Sequence, residues 1–137
     1  MKTLLRICLF LSIIMIAGCQ SLQRDTRTGW MTLDEMNAKL SALEQKEDGK
    51  NFWDRGHWIT AVDGRWHKGA PEYRLRYSEV PEHRAYWWYW WFNQDQKSFR
   101  KHMHELADKG FTLVHYQEFE RPTGEIRYQG VWHKLIK

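Results

Sequence analysis

The run Tyr86–Phe92, with the sequence YWWYWWF, restricts the fold more than any other feature because every residue in it is a large aromatic. A strand or a helix built from this run is apolar on both faces. Aromatic residues favour strands, and a strand with two apolar faces is typical of the centre of a covered sheet. The sequence therefore predicts a central strand, with alternate residues on opposite faces: Trp87, Tyr89 and Trp91 on one, and Tyr86, Trp88, Trp90 and Phe92 on the other.

All nine tryptophans of the 137-residue chain lie between residues 30 and 132. Large aromatic side chains bury much area per residue, so a small domain can build its core from them. A dense core is the first interpretation of this composition, and an aromatic surface that binds a ligand is the alternative.

Two segments have helical periodicity. Thr32 and Glu35 have the spacing of a capping box, and the apolar residues that follow predict a helix over 33–46. Phe99, Met103 and Leu106 form the apolar stripe of a second helix over 96–108, with Asn93 or Asp95 as its cap.

The remaining segments read as strands and turns. Strand-like patterns cover residues 58–62, 72–77, 111–119 and 126–132. Asp63-Gly64 is typical of a turn, and Gly69 and Pro71 indicate a loop between the first two strands.

The two helices and their caps repeat at a constant offset, since Thr32 and Met36 correspond to Asp95 and Phe99. Each helix is followed by a strand pair, which suggests a duplicated unit. We therefore predict an α+β fold: one antiparallel sheet of about five strands, two helices packed on one face, and a pseudo-repeat of helix–strand–strand.

The first eighteen residues have a short basic stretch, a short apolar run and small residues before Cys19, as a secretory signal does. Ile16-Ala17-Gly18-Cys19 resembles the lipobox of bacterial lipoproteins. That resemblance implies cleavage after Gly18 and acyl chains, such as palmitate, on Cys19, and Gln20 implies sorting to the outer membrane. The predicted organisation is a signal peptide over 1–18, a lipidated tether over 19–28 and one aromatic-rich domain over 29–137.

Residues 92–132 resemble a second family. Lys109-Gly110-Phe111 after the helix, and Arg127-Tyr128 before Val131-Trp132, are similar to the bacterial tandem-repeat unit that precedes the peptidase-like domain of polyglycine hydrolases. Gln129 and Gly130 stand where that unit commonly has two alanines, and Thr112 where it commonly has arginine. The resemblance implies a small repeat without catalytic residues, often linked to recognition of extracellular material.

Charge and cysteine content exclude several classes of protein. Loss of Lys2 and Arg6 with the signal reduces the formal net charge from +4 to +2, which is too balanced to indicate a nucleic-acid partner. Cys8 leaves with the signal and Cys19 carries lipid, so the mature domain is expected to have no disulfide.

Catalytic groups are sparse. Glu118 and Glu120 share one face of a strand and could form a carboxylate pair. The seven histidines lack the spacing of a common metal motif, although His57 and His67 could approach His115 or His133 across strands. We predict no catalytic residue, no metal and no cofactor.

The leading functional prediction is a membrane-anchored lipoprotein of the bacterial cell envelope, held at the outer membrane and facing the periplasm rather than the cell surface. It would act as a binding or structural module that recognises glycan or a partner protein through Trp87, Tyr89 and Trp91. The alternative is a small envelope hydrolase that acts on glycan or peptide.

Overall fold

The computed structural model describes residues 25–80 and 86–136. The predicted signal peptide, Cys19 and most of the predicted tether lie outside the described residues. The described elements, in chain order, are β1 (Thr26–Arg27), α1 (Leu33–Glu44), β2 (His57–His67), β3 (Ala70–Glu79), β4 (Tyr86–Gln94), α2 (Gln96–Asp108), β5 (Thr112–Glu120) and β6 (Ile126–Leu135).

The strands form two antiparallel sheets of three strands each, in the orders β1-β3-β2 and β4-β6-β5. The prediction of a single sheet of about five strands with both helices on one face is therefore wrong, and the fold is mostly β. The aromatic strand β4 is a terminal strand of its sheet instead of a central one. Terminal strands leave one edge unpaired, and β4 keeps one of its faces open as well.

Each sheet is built in the same way. Residues 26–79 (unit 1) and 86–135 (unit 2) both run strand–helix–strand–strand, and in both units the last strand lies in the middle of the sheet. The repeated element is thus longer by one strand than the predicted helix–strand–strand, and β4 is the first strand of unit 2. β1 lies within the segment predicted as the tether.

The helix ends follow their capping residues. The Thr32 side chain accepts a hydrogen bond from the backbone N–H of Glu35, whose carboxylate accepts one from Thr32 N–H, and this confirms the capping box. The Asp95 carboxylate caps α2 through the N–H of Ser98. Gly110, at φ 78°, takes the left-handed conformation after α2 that favours glycine.

The larger core lies between the two sheets and α1. Met36 of α1 packs with Tyr73 and Leu75 of β3, and all three side chains are fully buried. Unit 2 contributes one face of its sheet, which we call the inner face, and its residues in this core are Phe119 and Val131, with Trp88, Trp90 and Phe92 partly buried.

The opposite face of the second sheet, the outer face, carries α2. Phe99 and Leu106 of the helix pack on Trp132 of β6, which is 1% exposed. Gly130 allows this arrangement, because a Cβ at that position would lie 2.6 Å from the Trp132 ring. Each helix therefore covers its own sheet.

Side chains of unit 2 join the units by binding the backbone of β2. β2 is a terminal strand of the first sheet, and its carbonyl groups at Ile59 and Val62 lie 2.9 Å from His133 Nε2 and 3.0 Å from His115 Nε2, respectively. A carbonyl oxygen can only accept, so these two imidazole nitrogens carry hydrogen. We call this contact between the β2 edge and the inner face the seam.

Gln117 completes the seam at Gly64. Its side-chain oxygen accepts from Gly64 N–H and its amide nitrogen donates to Gly64 C=O, each at 2.8 Å. Gln129, which is fully buried, donates to the Gln117 oxygen at 2.8 Å and accepts from Asn93 N–H at 3.3 Å. One glutamine thus pairs with an edge residue as a neighbouring strand would, and a second glutamine holds it in place.

Gly64 lies inside β2, so the predicted turn at Asp63-Gly64 is wrong. The reason for glycine here is space, since a Cβ would lie 2.6 Å from both the Gln129 amide nitrogen and the Phe119 ring. Glycine within a strand commonly marks such a close approach.

We expect Gly64→Ala to lower the free energy of unfolding by about 1–3 kcal/mol, the usual cost of overpacking a well-packed core. Gly29→Ala is the matched control, because nothing lies within 4 Å of a Cβ at that position. Urea unfolding followed by circular dichroism measures both. Equal stability of the two variants would contradict a tight seam.

Candidate functional site

The exposed aromatic side chains of β4 form the main candidate site. Trp87, Tyr89 and Trp91 are 58%, 47% and 36% exposed on the outer face, whereas Trp88 and Trp90 pack against the larger core. These are the two faces that strict alternation predicts. We call the trio Trp87, Tyr89 and Trp91 the outer aromatic face.

Neighbouring side chains fix the orientation of two of these three rings. Trp91 stacks on His102 of α2, with ring centroids 3.9 Å apart and planes 6° apart. Tyr89 meets the edge of Phe111 at 5.2 Å. Rings that are held in place lose little conformational entropy when a ligand binds, so Tyr89 and Trp91 are preorganised for binding.

A groove of about 600 Å³ lies beside Trp87. Its walls come from the start of β4, the turn after α2, the start of β5 and the end of β6. The lining residues are Trp87, Gly110, Thr112, His133, Lys134, Leu135 and Ile136. Leu135 and Ile136 are 51% and 37% exposed. The groove is therefore largely apolar, with few polar groups to orient a ligand.

Lys134 supplies the positive charge of this groove. Its Nζ lies 5.7 Å from the Trp87 ring centroid and 5.5 Å from that of Phe111. It also donates a hydrogen bond of 2.5 Å to Lys109 C=O at the end of α2. The ammonium group thus stays next to the outer aromatic face, where it can meet hydroxyl or acidic groups of a ligand.

A second groove, of about 320 Å³, lies on the other side of α2, between the helix and β5. Its lining residues are Gln96, Phe99, Arg100, Met103, Leu113, Tyr116, Glu118 and Tyr128. We call it the α2–β5 groove. It is smaller than the groove beside Trp87 and contains both charge signs.

The carboxylate pair considered in the sequence does not meet in one groove. Glu118 lines the α2–β5 groove and accepts a hydrogen bond from the Tyr116 hydroxyl. That hydrogen bond, and to a smaller extent burial, raises the pKa of Tyr116 to about 12. Glu120 is exposed at the end of β5 and does not line this groove.

Four of the histidines make structural contacts in the described part of the chain. His115 and His133 bind the seam, His57 stacks on Phe52, and His102 stacks on Trp91. Burial lowers the pKa of His133, which keeps its ring neutral in the seam. Within residues 25–80 and 86–136, no three His, Cys, Asp or Glu side chains are grouped as metal ligands would be.

Gln117, Gln129 and Lys134 are functional or structural residues that the sequence did not indicate. Gln117 and Gln129 look like ordinary polar positions of alternating strands, and Asp63-Gly64 has the sequence of a turn, so no local pattern indicates the seam. Lys134 lies beyond the predicted end of the last strand, which the structure extends to Leu135.

Residues 88–135 match the family model of the polyglycine hydrolase-like structural repeat. The match confirms the domain resemblance and spans unit 2 from the third residue of β4 to the end of β6. Two residues that depart from the usual sequence of this repeat have structural roles here. Gln129 donates to the seam residue Gln117, and Gly130 makes room for the Trp132 ring. No curated protein and no solved structure shows significant similarity to the chain.

No helix in the described part of the chain is both long enough and apolar enough to cross a membrane.

Proposed function

We propose that the chain is a lipid-anchored protein of the bacterial cell envelope, whose domain binds envelope glycan through the outer aromatic face. The observation that carries the proposal is the exposure of Trp87, Tyr89 and Trp91 in one row beside an apolar groove. A small domain rarely leaves three adjacent large aromatics in solvent without a partner for them.

Sugar rings are suitable ligands for such a row. The flat faces of tryptophan and tyrosine pack on the apolar faces of a pyranose. The tyrosine O–H and tryptophan N–H remain free for hydrogen bonds. Adjacent outward residues of a strand are roughly 7 Å apart, so an extended glycan can contact more than one ring. Lys134 Nζ lies 5.7 Å from the Trp87 ring, where it can donate to hydroxyl or carboxylate oxygens.

The anchoring half of the proposal rests on the lipobox-like Ile16–Cys19 and on Gln20, which favours the outer membrane. The first described strand begins at Thr26, seven residues after Cys19. Seven fully extended residues span at most about 25 Å. A lipid on Cys19 would hold the domain within that distance of the bilayer, in reach of the cell-wall polymer.

The lipid anchor is tested by growing cells that produce the full chain in the presence of a labelled fatty acid. We expect label on the chain and recovery in the outer-membrane fraction, and loss of both in Cys19→Ala. Cys8→Ala is the control and should keep the label. Equal labelling of the Cys19→Ala chain would overturn the anchor.

Glycan binding is tested by sedimentation of the full chain, purified in mild detergent, with insoluble peptidoglycan. Trp87→Ala/Tyr89→Ala should reduce retention at least about tenfold, since loss of about 1.4 kcal/mol suffices for that factor and aromatic anchors often contribute more. Leu33→Ala/Ile126→Ala is the control. It removes two apolar side chains outside the outer aromatic face, which are 37% and 39% exposed, and should leave retention unchanged. Equal retention of both double variants would contradict the proposal.

A further inference from the structure

The two units can be compared residue by residue because each has a β-bulge at the same place. The register of β2 on β3 shifts between Ile59 and Ala61, and that of β5 on β6 shifts between Leu113 and His115. With the bulges aligned, Ile59, Val62 and Gly64 correspond to Leu113, Tyr116 and Glu118. The pairing of Gly64 with Tyr73 then corresponds to that of Glu118 with Tyr128.

In unit 1 the surface formed by these residues is covered. Ile59, Val62 and Tyr73 are fully buried, and the inner face of unit 2 lies against them. The unpaired edge of β2 is covered as well, since its backbone is bound by the side chains of His115, Gln117 and His133.

In unit 2 the corresponding surface is open. Tyr116, the counterpart of the fully buried Val62, is 48% exposed, and so is Val114 of the bulge. The α2–β5 groove, lined by Leu113 and Tyr128 among others, occupies the place that unit 2 fills in unit 1. β5 is the terminal strand of its sheet, with no further strand of the described residues paired to it.

A second copy cannot fill this surface in the way that unit 2 covers unit 1. The face of unit 1 equivalent to the inner face is polar, because Asp63 pairs with Arg74 at 2.8 Å and Arg65 with Glu72 at 2.6 Å. Trp30 lies against both guanidinium groups, 4.2 Å from that of Arg65 and 4.4 Å from that of Arg74. A polar end of this kind closes a stack of repeats instead of extending it.

We propose that the β5 edge and the α2–β5 groove bind the same surface of a second copy of this chain, as a two-fold symmetric dimer. Long unpaired strands with exposed apolar residues pair readily with another chain, and an interface with two-fold symmetry must complement itself. Antiparallel pairing of β5 with its copy about Tyr116 meets that requirement. It places Val114 opposite Glu118, so the two Glu118 carboxylates are not opposed.

This dimer joins the second sheets of two copies into one sheet of six strands. Tyr116 corresponds to Val62, whose C=O points to the free edge of β2 and accepts from His115. The backbone of Tyr116 is therefore directed at the second copy. The exposed rings of the two Tyr116 residues are neighbours across the axis, and each copy brings an Arg100 and a Glu118 of opposite charge to the groove.

Disulfide cross-linking of the full chain in the membranes of producing cells tests the dimer. Neighbouring antiparallel residues have Cα atoms about 4.5–5.5 Å apart, which suits a disulfide. Tyr116→Cys should therefore give a dimer under mild oxidation. When the Val114→Cys chain and the Glu118→Cys chain are produced in the same cells, they should cross-link to each other more than either single variant cross-links to itself. Lys101→Cys on α2, whose side chain is 71% exposed, is the accessible control, and the parent chain shows any dimer formed through its own cysteines.

Dimer yield from Tyr116→Cys no higher than from Lys101→Cys would overturn the proposal. Light scattering of the unaltered chain, with the detergent contribution subtracted, gives a second readout that needs no variant to fold. We expect twice the protomer mass at high protein concentration. A protomer mass throughout the concentration series would also overturn the dimer.

Discussion

The structure depends on how the free edge of β2 is satisfied where it meets the inner face of the second sheet. Buried backbone N–H and C=O groups must be paired, and an edge without partners costs about 1–3 kcal/mol for each group left unpaired. Unit 2 pairs these groups with two imidazoles and one carboxamide instead of another strand. Because side chains and not a strand make these hydrogen bonds, the two sheets are held in contact without merging into one sheet.

The seam explains residues that otherwise have no evident role. The bulge at Thr60 brings both Ile59 and Val62 onto the side that faces unit 2. Gly64 permits the approach of the Gln129 amide, and Gln129 in turn orients Gln117. The seam also leaves the outer aromatic face available, because the inner face of the second sheet is the one that is occupied by unit 1.

Local elements could be predicted from the sequence, and the arrangement of the sheets could not. Thr32 with Glu35 and Asp95 with Ser98 place the starts of both helices, since capping depends on residues within one turn. Strand number, by contrast, says nothing about which strands share hydrogen bonds. The run from Trp87 to Phe92 has the same pattern in a central strand as in a terminal strand with one exposed face. The alternation correctly predicts which rings share a face, but their exposure depends on where α2 ends and how the units pack.

The contacts of the seam residues could not be predicted from the sequence for a related reason. His115, Gln117 and His133 are polar residues of the kind that often faces solvent in a strand, and only their contact with a distant strand distinguishes them. Asp63-Gly64 is a turn dipeptide by local preference, yet long-range packing requires a glycine there within a strand. Local preference and long-range packing disagree at this position, and packing decides the structure.

The most direct test of the seam is amide hydrogen exchange at Gly64, measured by NMR in the native protein and in Gln117→Leu. An edge amide that faces water exchanges quickly, whereas one that is hydrogen-bonded to a side chain at a packed contact exchanges only on opening of the structure. We predict strong protection of Gly64 N–H in the native protein and its loss in Gln117→Leu, with the β5–β6 amides still protected. Gln94→Leu, which removes a side chain bonded to Phe92 C=O, should leave Gly64 protected. Rapid exchange of Gly64 in the native protein, or the same protection in Gln117→Leu, would contradict the account.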